Sequence, residues 1–191
     1  MRIIGGTAKG RIIHFPAGSK ERPTSDFLRE ALLNLCGSVV GKTFLDLFAG
    51  SGSVGLEAIS RGAEEAYFIE KSKVLSAIAK KNISNCDFEK KCRVINKDVR
   101  SALSDLYKKK CKFDIIFADP PYNKGFVESA LKWLTEYPVF KEDTLIVIQH
   151  STREGLDSFL AEKDCGKFIW HQVDQRKYGD NAISFLKTEH K

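Results

Sequence analysis

The chain lacks what several protein classes require. No run approaches the ~20 consecutive apolar residues of a membrane helix. The opening Met1-Arg2-Ile3-Ile4-Gly5-Gly6 has neither an apolar stretch nor a small-residue cleavage site for secretion. The five cysteines, Cys36, Cys86, Cys92, Cys111 and Cys165, are odd in number and contain no C-x-x-C pair. That argues against a disulfide framework or a zinc knuckle and suits free thiols in a reducing cytoplasm. The four histidines are scattered without metal-ligand spacing, so no metal is expected. No internal repeat or low-complexity linker divides the chain. What is present is ordinary: 191 residues, 42% hydrophobic and 29% charged. A chain of that length suits one domain able to bury its own core. The expected organisation is a single domain over 1–191, with residues 1–24 extending a core at 25–191.

Charge is more informative by place than by sum. The net value is +6, from 31 basic and 25 acidic residues. Residues 1–24 hold Arg2, Lys9, Arg11, Lys20 and Arg22 against Glu21 alone. A basic segment of this kind suits a polyanionic partner. Lys108-Lys109-Lys110 instead falls where a helix should end, and cations there complement the helix dipole.

The first residues read as two short strands, Ile3-Ile4 and Arg11 to Phe15, joined by a glycine turn. Thr24 or Ser25 can cap a helix through Phe27, Leu28, Ala31, Leu32 and Leu35, which Gly37 ends. From about residue 42 short apolar runs alternate with helical stretches. Strands are expected at Thr43 to Phe48, Ala66 to Ile69, Arg93 to Ile95, Asp114 to Ala118 and Thr144 to Ile148. Helices are expected over 53–61, 73–84, 99–108, 124–135 and 154–161. Runs apolar on successive residues fit strands covered on both faces, and repeated β-α units fit a parallel sheet. Phe168 to Val173 and Ala182 to Leu186 flank a turn at Tyr178-Gly179-Asp180-Asn181. That predicts a terminal hairpin and an antiparallel strand.

Asp46-Leu47-Phe48-Ala49-Gly50-Ser51-Gly52-Ser53-Val54-Gly55 follows a strand and opens a helix. Gly50, Gly52 and Gly55 fit G-x-G-x-x-G, with Glu70 twenty residues after Gly50. Such a loop can hold a dinucleotide pyrophosphate or S-adenosylmethionine. Asp46 discriminates, because a carboxylate at the strand end repels a pyrophosphate and suits ammonium and sulfonium groups. Glu70 can accept from both ribose hydroxyls, and Asp98 from the adenine amino group. The candidate cofactor set is Asp46, Phe48, Ala49, Gly50, Ser51, Gly52, Glu70, Lys71, Asp98, Val99 and Asp119.

Asp119-Pro120-Pro121-Tyr122 follows the buried strand Asp114 to Ala118. Ligands of open α/β sheets bind at the carboxyl ends of strands. Two prolines remove two backbone donors and aim the Pro120 carbonyl. With the Asp119 carboxylate this makes two acceptors beside an aromatic face. The set fits the exocyclic amino group of an unstacked base, whose lone pair becomes available as its two hydrogens are bound. Asp119, Pro120, Pro121 and Tyr122 are the candidate catalytic residues.

With these motifs the sequence resembles the class I S-adenosylmethionine-dependent methyltransferases of the Asp-Pro-Pro-Tyr type. More narrowly, it is similar to the bacterial RsmD family of 16S rRNA guanine-N2 methyltransferases. The narrower resemblance rests on Met1 to Gly6 with Lys9-Gly10-Arg11, on Arg22-Pro23-Thr24 with Arg29-Glu30, and on Tyr178-Gly179-Asp180. It implies a Rossmann-like, mostly parallel seven-stranded α/β sheet and a small N-terminal β-hairpin that grips RNA. It also implies S-adenosyl-L-methionine as donor and S-adenosyl-L-homocysteine as product, without a metal. The implied substrate is 16S rRNA in an assembled or partly assembled small subunit, methylated by a cytoplasmic monomer with no membrane partner. Arg2, Lys9, Arg11, Arg22 and Thr24 are the candidate RNA-binding residues. Gln149-His150 departs from the pattern, since relatives often carry an acid there, and His150 reads as a satisfied edge residue. Competing readings are a DNA adenine-N6 methyltransferase, a nicotinamide-dependent oxidoreductase, and a non-catalytic RNA-binding module.

Overall fold

The computed structural model describes residues 1–16, 26–121, 125–154, 156, 159–160 and 167–191. The chain forms a seven-stranded sheet in the order β3-β2-β1-β4-β5-β7-β6. It divides into two compact units, Met1–Asp98 and Val99–Lys191.

In the first unit, α1 (Asp26–Leu35) buries Leu28, Leu32 and Leu33, and Gly37, at φ 69°, ends the run. β1 (Thr43–Asp46) pairs in parallel with β2 (Glu65–Ile69), and β2 with β3 (Cys92–Ile95). α2 (Ser53–Ser60) and α3 (Lys73–Asn85) cross between them. Every residue of α2 is buried, which requires close approach to the sheet. A Cβ on Gly55 would meet the Phe68 ring at 2.4 Å, so glycine is what lets the helix lie against β2.

In the second unit, α4 (Val99–Lys108) precedes β4 (Phe113–Ala118), and α5 (Phe126–Glu136) precedes β5 (Phe140–Ser151). β4 and β5 are parallel. β6 (Phe168–Tyr178) and β7 (Asn181–His190) form the expected terminal hairpin, with β7 antiparallel to β5. β5 begins four residues before its apolar run. Lys141, Glu142 and Asp143 are exposed there, while Phe140 packs edge-on against Phe168 and Trp170 at 4.9 and 6.0 Å. The helix expected over 154–161 falls largely outside the described residues. No helix among the described residues is long and apolar enough to cross a membrane.

The two N-terminal stretches pair antiparallel, as expected, but briefly: around the Arg2–Ile12 bridge, Ile3 donates to the Arg11 carbonyl at 3.0 Å and Ile13 to the Met1 carbonyl at 2.9 Å. The amides of Ile4 and Gly5 bond to Glu57 of α2.

Candidate active site

β1 ends on Asp46, which is buried and accepts from the Phe48 amide at 3.3 Å. The chain then turns sharply into α2. Gly50 and Gly52 take φ of 54° and 83°, a left-handed conformation that favours glycine. Nothing lies within 4 Å of where a Gly50 Cβ would stand, so the loop opens on free space. Glu70, just past β2, braces it. One carboxylate oxygen accepts from the Gly50 amide at 2.9 Å, the other from the Ser72 amide at 2.7 Å. Each oxygen keeps a further lone pair for a ligand hydroxyl. Asn96 holds this brace from below, donating to the carbonyls of Glu70 and Lys71 at 2.7 and 3.1 Å. Ala49 and Ser51 are buried, Phe48 is half-buried, and Lys71 and Asp98 are exposed. An open glycine turn, a braced carboxylate and a buried acid at the strand end fit a cationic nucleoside better than a pyrophosphate.

In the second unit, β4 delivers Asp119 half-buried, Pro120 buried and Pro121 exposed. Val99, at the start of α4, is buried. Tyr122 lies outside the described residues. His150 is buried, with its ring nitrogens 2.9 Å from the Ser151 carbonyl and 2.9 Å from the Ser184 hydroxyl. It is a satisfied strand residue, as expected. No group of acids, histidines or cysteines among the described residues could hold a metal ion.

The N-terminal segment has a role that charge alone did not reveal. Glu57 is fully buried on α2. It accepts from the amides of Ile4 and Gly5 at 2.8 Å each and from Arg61 Nε at 3.0 Å, and lies 3.5 Å from Arg29 Nε. Arg29 is equally buried and donates to the Arg2 carbonyl at 2.6 Å and to the Met1 sulfur. It therefore pairs with Glu57. The Ser60 hydroxyl accepts from the Ala8 amide and donates to the Gly5 carbonyl. Gly6 is obligatory, since a Cβ there would overlap the Ser60 carbonyl at 1.8 Å. Asn82 of α3, fully buried, donates to the carbonyls of His14 and Ser51 at 2.9 Å each and accepts from the His14 amide at 2.8 Å. It joins the N-terminal segment to the glycine loop. Two sequence signals pointed this way: Glu57 is the one acid in an otherwise uncharged helix, and Asn82 falls on the buried face of α3.

The RNA candidates divide. Arg2 and Lys9 are exposed. Arg11 is exposed but engaged, donating to the Asn85 carbonyl at 2.7 Å and to Asp87 at 3.0 Å. Arg22 and Thr24 lie outside the described residues.

The strand order, the antiparallel last pair and the glycine turn after β1 define the Rossmann-like class of methyltransferase folds. The chain belongs to the family described as conserved hypothetical protein 95, whose model matches residues 1–187. It is 33% identical over 188 residues to ribosomal RNA small subunit methyltransferase D of Escherichia coli, covering 95% of this chain and 93% of that one. A solved Escherichia coli chain superposes with a TM-score of 0.83 at 30% identity, covering 100% of this chain and 99% of that one. The Thermus thermophilus 16S rRNA N2 G1207 methyltransferase, solved with AdoMet and guanosine, shares the fold. Its TM-score is 0.68 at 22% identity, over 90% of this chain and 44% of that one.

Proposed function

We propose that this protein transfers a methyl group from S-adenosylmethionine to the exocyclic N2 amino group of a guanine in 16S rRNA. The observation that carries the reading is the open Gly50 turn braced by Glu70 beside buried Asp46. The rRNA substrate is supported by the names of relatives that match nearly the whole chain. One catalytic domain spans 1–191, with 1–24 as its extension. It works as a cytoplasmic monomer on an assembled or partly assembled subunit.

S-adenosylmethionine, when bound, supplies an electrophilic methyl group on a sulfonium sulfur. Glu70 holds the ribose hydroxyls, Asp46 favours the cationic end, and Asp98 accepts from the adenine amino group. Phe48, Ala49, Ser51, Gly52, Lys71 and Val99 complete that pocket. The Asp119 carboxylate and the Pro120 carbonyl accept the two hydrogens of the guanine amino group, which sharpens the nitrogen lone pair. Tyr122 stacks on the base and Pro121 holds the turn rigid. The surplus proton of the methylated amino group would leave to the Asp119 carboxylate or to water.

The test is single-turnover methyl transfer to small subunits from a strain lacking the enzyme, with mass mapping of the product. Asp119→Ala should keep S-adenosylhomocysteine binding and lose ~100- to 1000-fold in rate, the usual effect of removing one aimed group from a transition state. Tyr122→Phe should be mild and Tyr122→Ala severe. A folded Asp119→Ala protein within a few-fold of wild type would make the tetrapeptide scaffold only.

A further inference from the structure

We propose that the outer face of α3 and the adjoining edge strand β3 form a second rRNA-docking surface, a phosphate track distinct from the N-terminal segment. The proposal rests on the rRNA reading above. Residues 71–97 hold eight cations and two acids, an excess equal to the +6 of the whole chain, so the remaining residues balance. All eight cations are exposed. Both acids are turned to other partners, Asp87 to Arg11 at 3.0 Å and Glu89 to the Ser84 hydroxyl at 2.6 Å.

The placement is directional. On α3 the exposed positions are Lys73, Val74, Ala77, Lys80, Lys81 and Ser84, one helical face. The opposite positions, Leu75, Ser76, Ala79, Asn82 and Ile83, are buried. β3 is the end strand of the sheet; Arg93 lies on it, and Lys90 and Lys91 sit in the turn that enters it. Between helix and strand runs an open groove lined by Lys80, Ile83, Glu89, Cys92, Arg93 and Val94. Arg93 is preset there, one guanidinium nitrogen donating to the carbonyls of Glu89, Lys90 and Cys92 at 3.1–3.3 Å.

Cations on or next to an edge strand also discourage aggregation, which would account for Lys90, Lys91 and Arg93. It does not account for α3. A helix face serving only solubility usually mixes signs in i,i+4 pairs, and α3 contains no acid. Lys73, Lys80, Lys81, Lys90 and Lys91 make no ion pair among the described residues. A single-sign face of this density is matched by a chain of phosphates. Arg11, bonded to the Asn85 carbonyl at the end of α3, makes the track continuous with the N-terminal cations.

The experiment compares wild type with a Lys80→Gln, Lys81→Gln, Lys91→Gln variant on intact small subunits and on a protein-free 16S rRNA transcript. A Lys108→Gln, Lys109→Gln, Lys110→Gln variant removes the same charge elsewhere. The first variant should show a salt dependence shallower by about 2–3 in log–log slope, at ~0.7–0.9 per phosphate contact. Extrapolated to 0.1 M salt, three lost contacts correspond to binding weaker on the order of 100-fold. KM for subunits should rise, while kcat, melting temperature and S-adenosylhomocysteine affinity stay unchanged. The control variant should resemble wild type. Equal binding by the first variant, equal loss in the control, or a loss seen on subunits but not on the transcript would overturn the proposal. The last outcome would indicate a ribosomal protein as partner. Wild-type protein that binds rRNA through this face yet methylates none would sink the enzymatic reading and leave the docking surface standing.

Discussion

Replacing Glu57 by alanine tests whether the first residues of the chain are an anchor rather than a free RNA-gripping arm. The carboxylate is fully buried, accepts from two backbone amides and from Arg61, and pairs with Arg29 at 3.5 Å. Arg29 is as deeply buried and would keep its charge with its counter-ion gone. Removing one partner of a buried pair typically costs ~3–5 kcal/mol. The Ile4 and Gly5 amides would add to that if they stayed dry, at ~1–3 kcal/mol each, but a terminal segment can peel away and reach water. A loss of about 4 kcal/mol is therefore expected, a large part of a typical total of ~5–15 kcal/mol. At roughly 2–4 °C per kcal/mol for a chain of this size, the melting temperature should fall by ~8–16 °C. Arg61→Ala, at the half-buried rim of the same cluster, should cost less than Glu57→Ala, because Glu57 keeps Arg29 and both amides. Thermal unfolding followed by circular dichroism, without ligand, measures all three proteins. A Glu57→Ala protein melting within ~2 °C of wild type would mean that water replaces the carboxylate at no cost, and the anchor would be fiction. If the drop is seen, deletion of the N-terminal segment is a stability lesion as well as a loss of RNA contacts, and lost methylation after truncation cannot be assigned to RNA alone.

Three further outcomes are expected. Glu70→Ala should weaken S-adenosylhomocysteine binding ~10- to 100-fold by titration calorimetry, from charge-assisted hydrogen bonds worth ~1.5–3 kcal/mol; unchanged affinity would remove its ribose role. Asn82→Ala should lower both melting temperature and S-adenosylhomocysteine affinity, because it bonds the glycine loop at Ser51 as well as His14; a melting shift with unaltered affinity would make Asn82 structural only. Burial pushes the Cys36 and Cys92 thiols up to about 12 and raises Cys86 as well. At pH 8 these three stay protonated, so maleimide labelling of native protein read by mass spectrometry should leave them unmodified.

Much of this was legible because the relevant signals are local. Short runs of three to six residues marked β1 to β4, and glycines at fixed offsets marked the turn after β1. What escaped has a physical reason in each case. The start of β5 is masked by Lys141, Glu142 and Asp143, exposed residues that break the apolar pattern. The N-terminal pairing was legible, but the acceptor of its outward amides, Ile4 and Gly5, is Glu57, 53 and 52 residues away, a partner that no local window contains. Charge clustered at residues 1–24 was easy to see, but the larger excess at 71–97 is split between a helix and a strand and becomes a surface only when the two lie side by side. Arg11 looked like a free cation and is partly engaged by Asp87.

The stitching of the N-terminal segment has a consequence for synthesis. Apart from Arg29, its partners on α2, α3 and the turn after it lie 52 to 76 residues further along the chain, at Glu57, Ser60, Asn82, Asn85 and Asp87. The segment is thus synthesised well before the residues that hold it in place. At ~5–20 residues per second the nascent segment waits several seconds before α3 exists to receive it. During that interval Ile3 and Ile13, buried at the end, are in water. The strand-helix units from β1 to α3 must form first and serve as the template on which the beginning of the chain closes, an order opposite to the direction of translation.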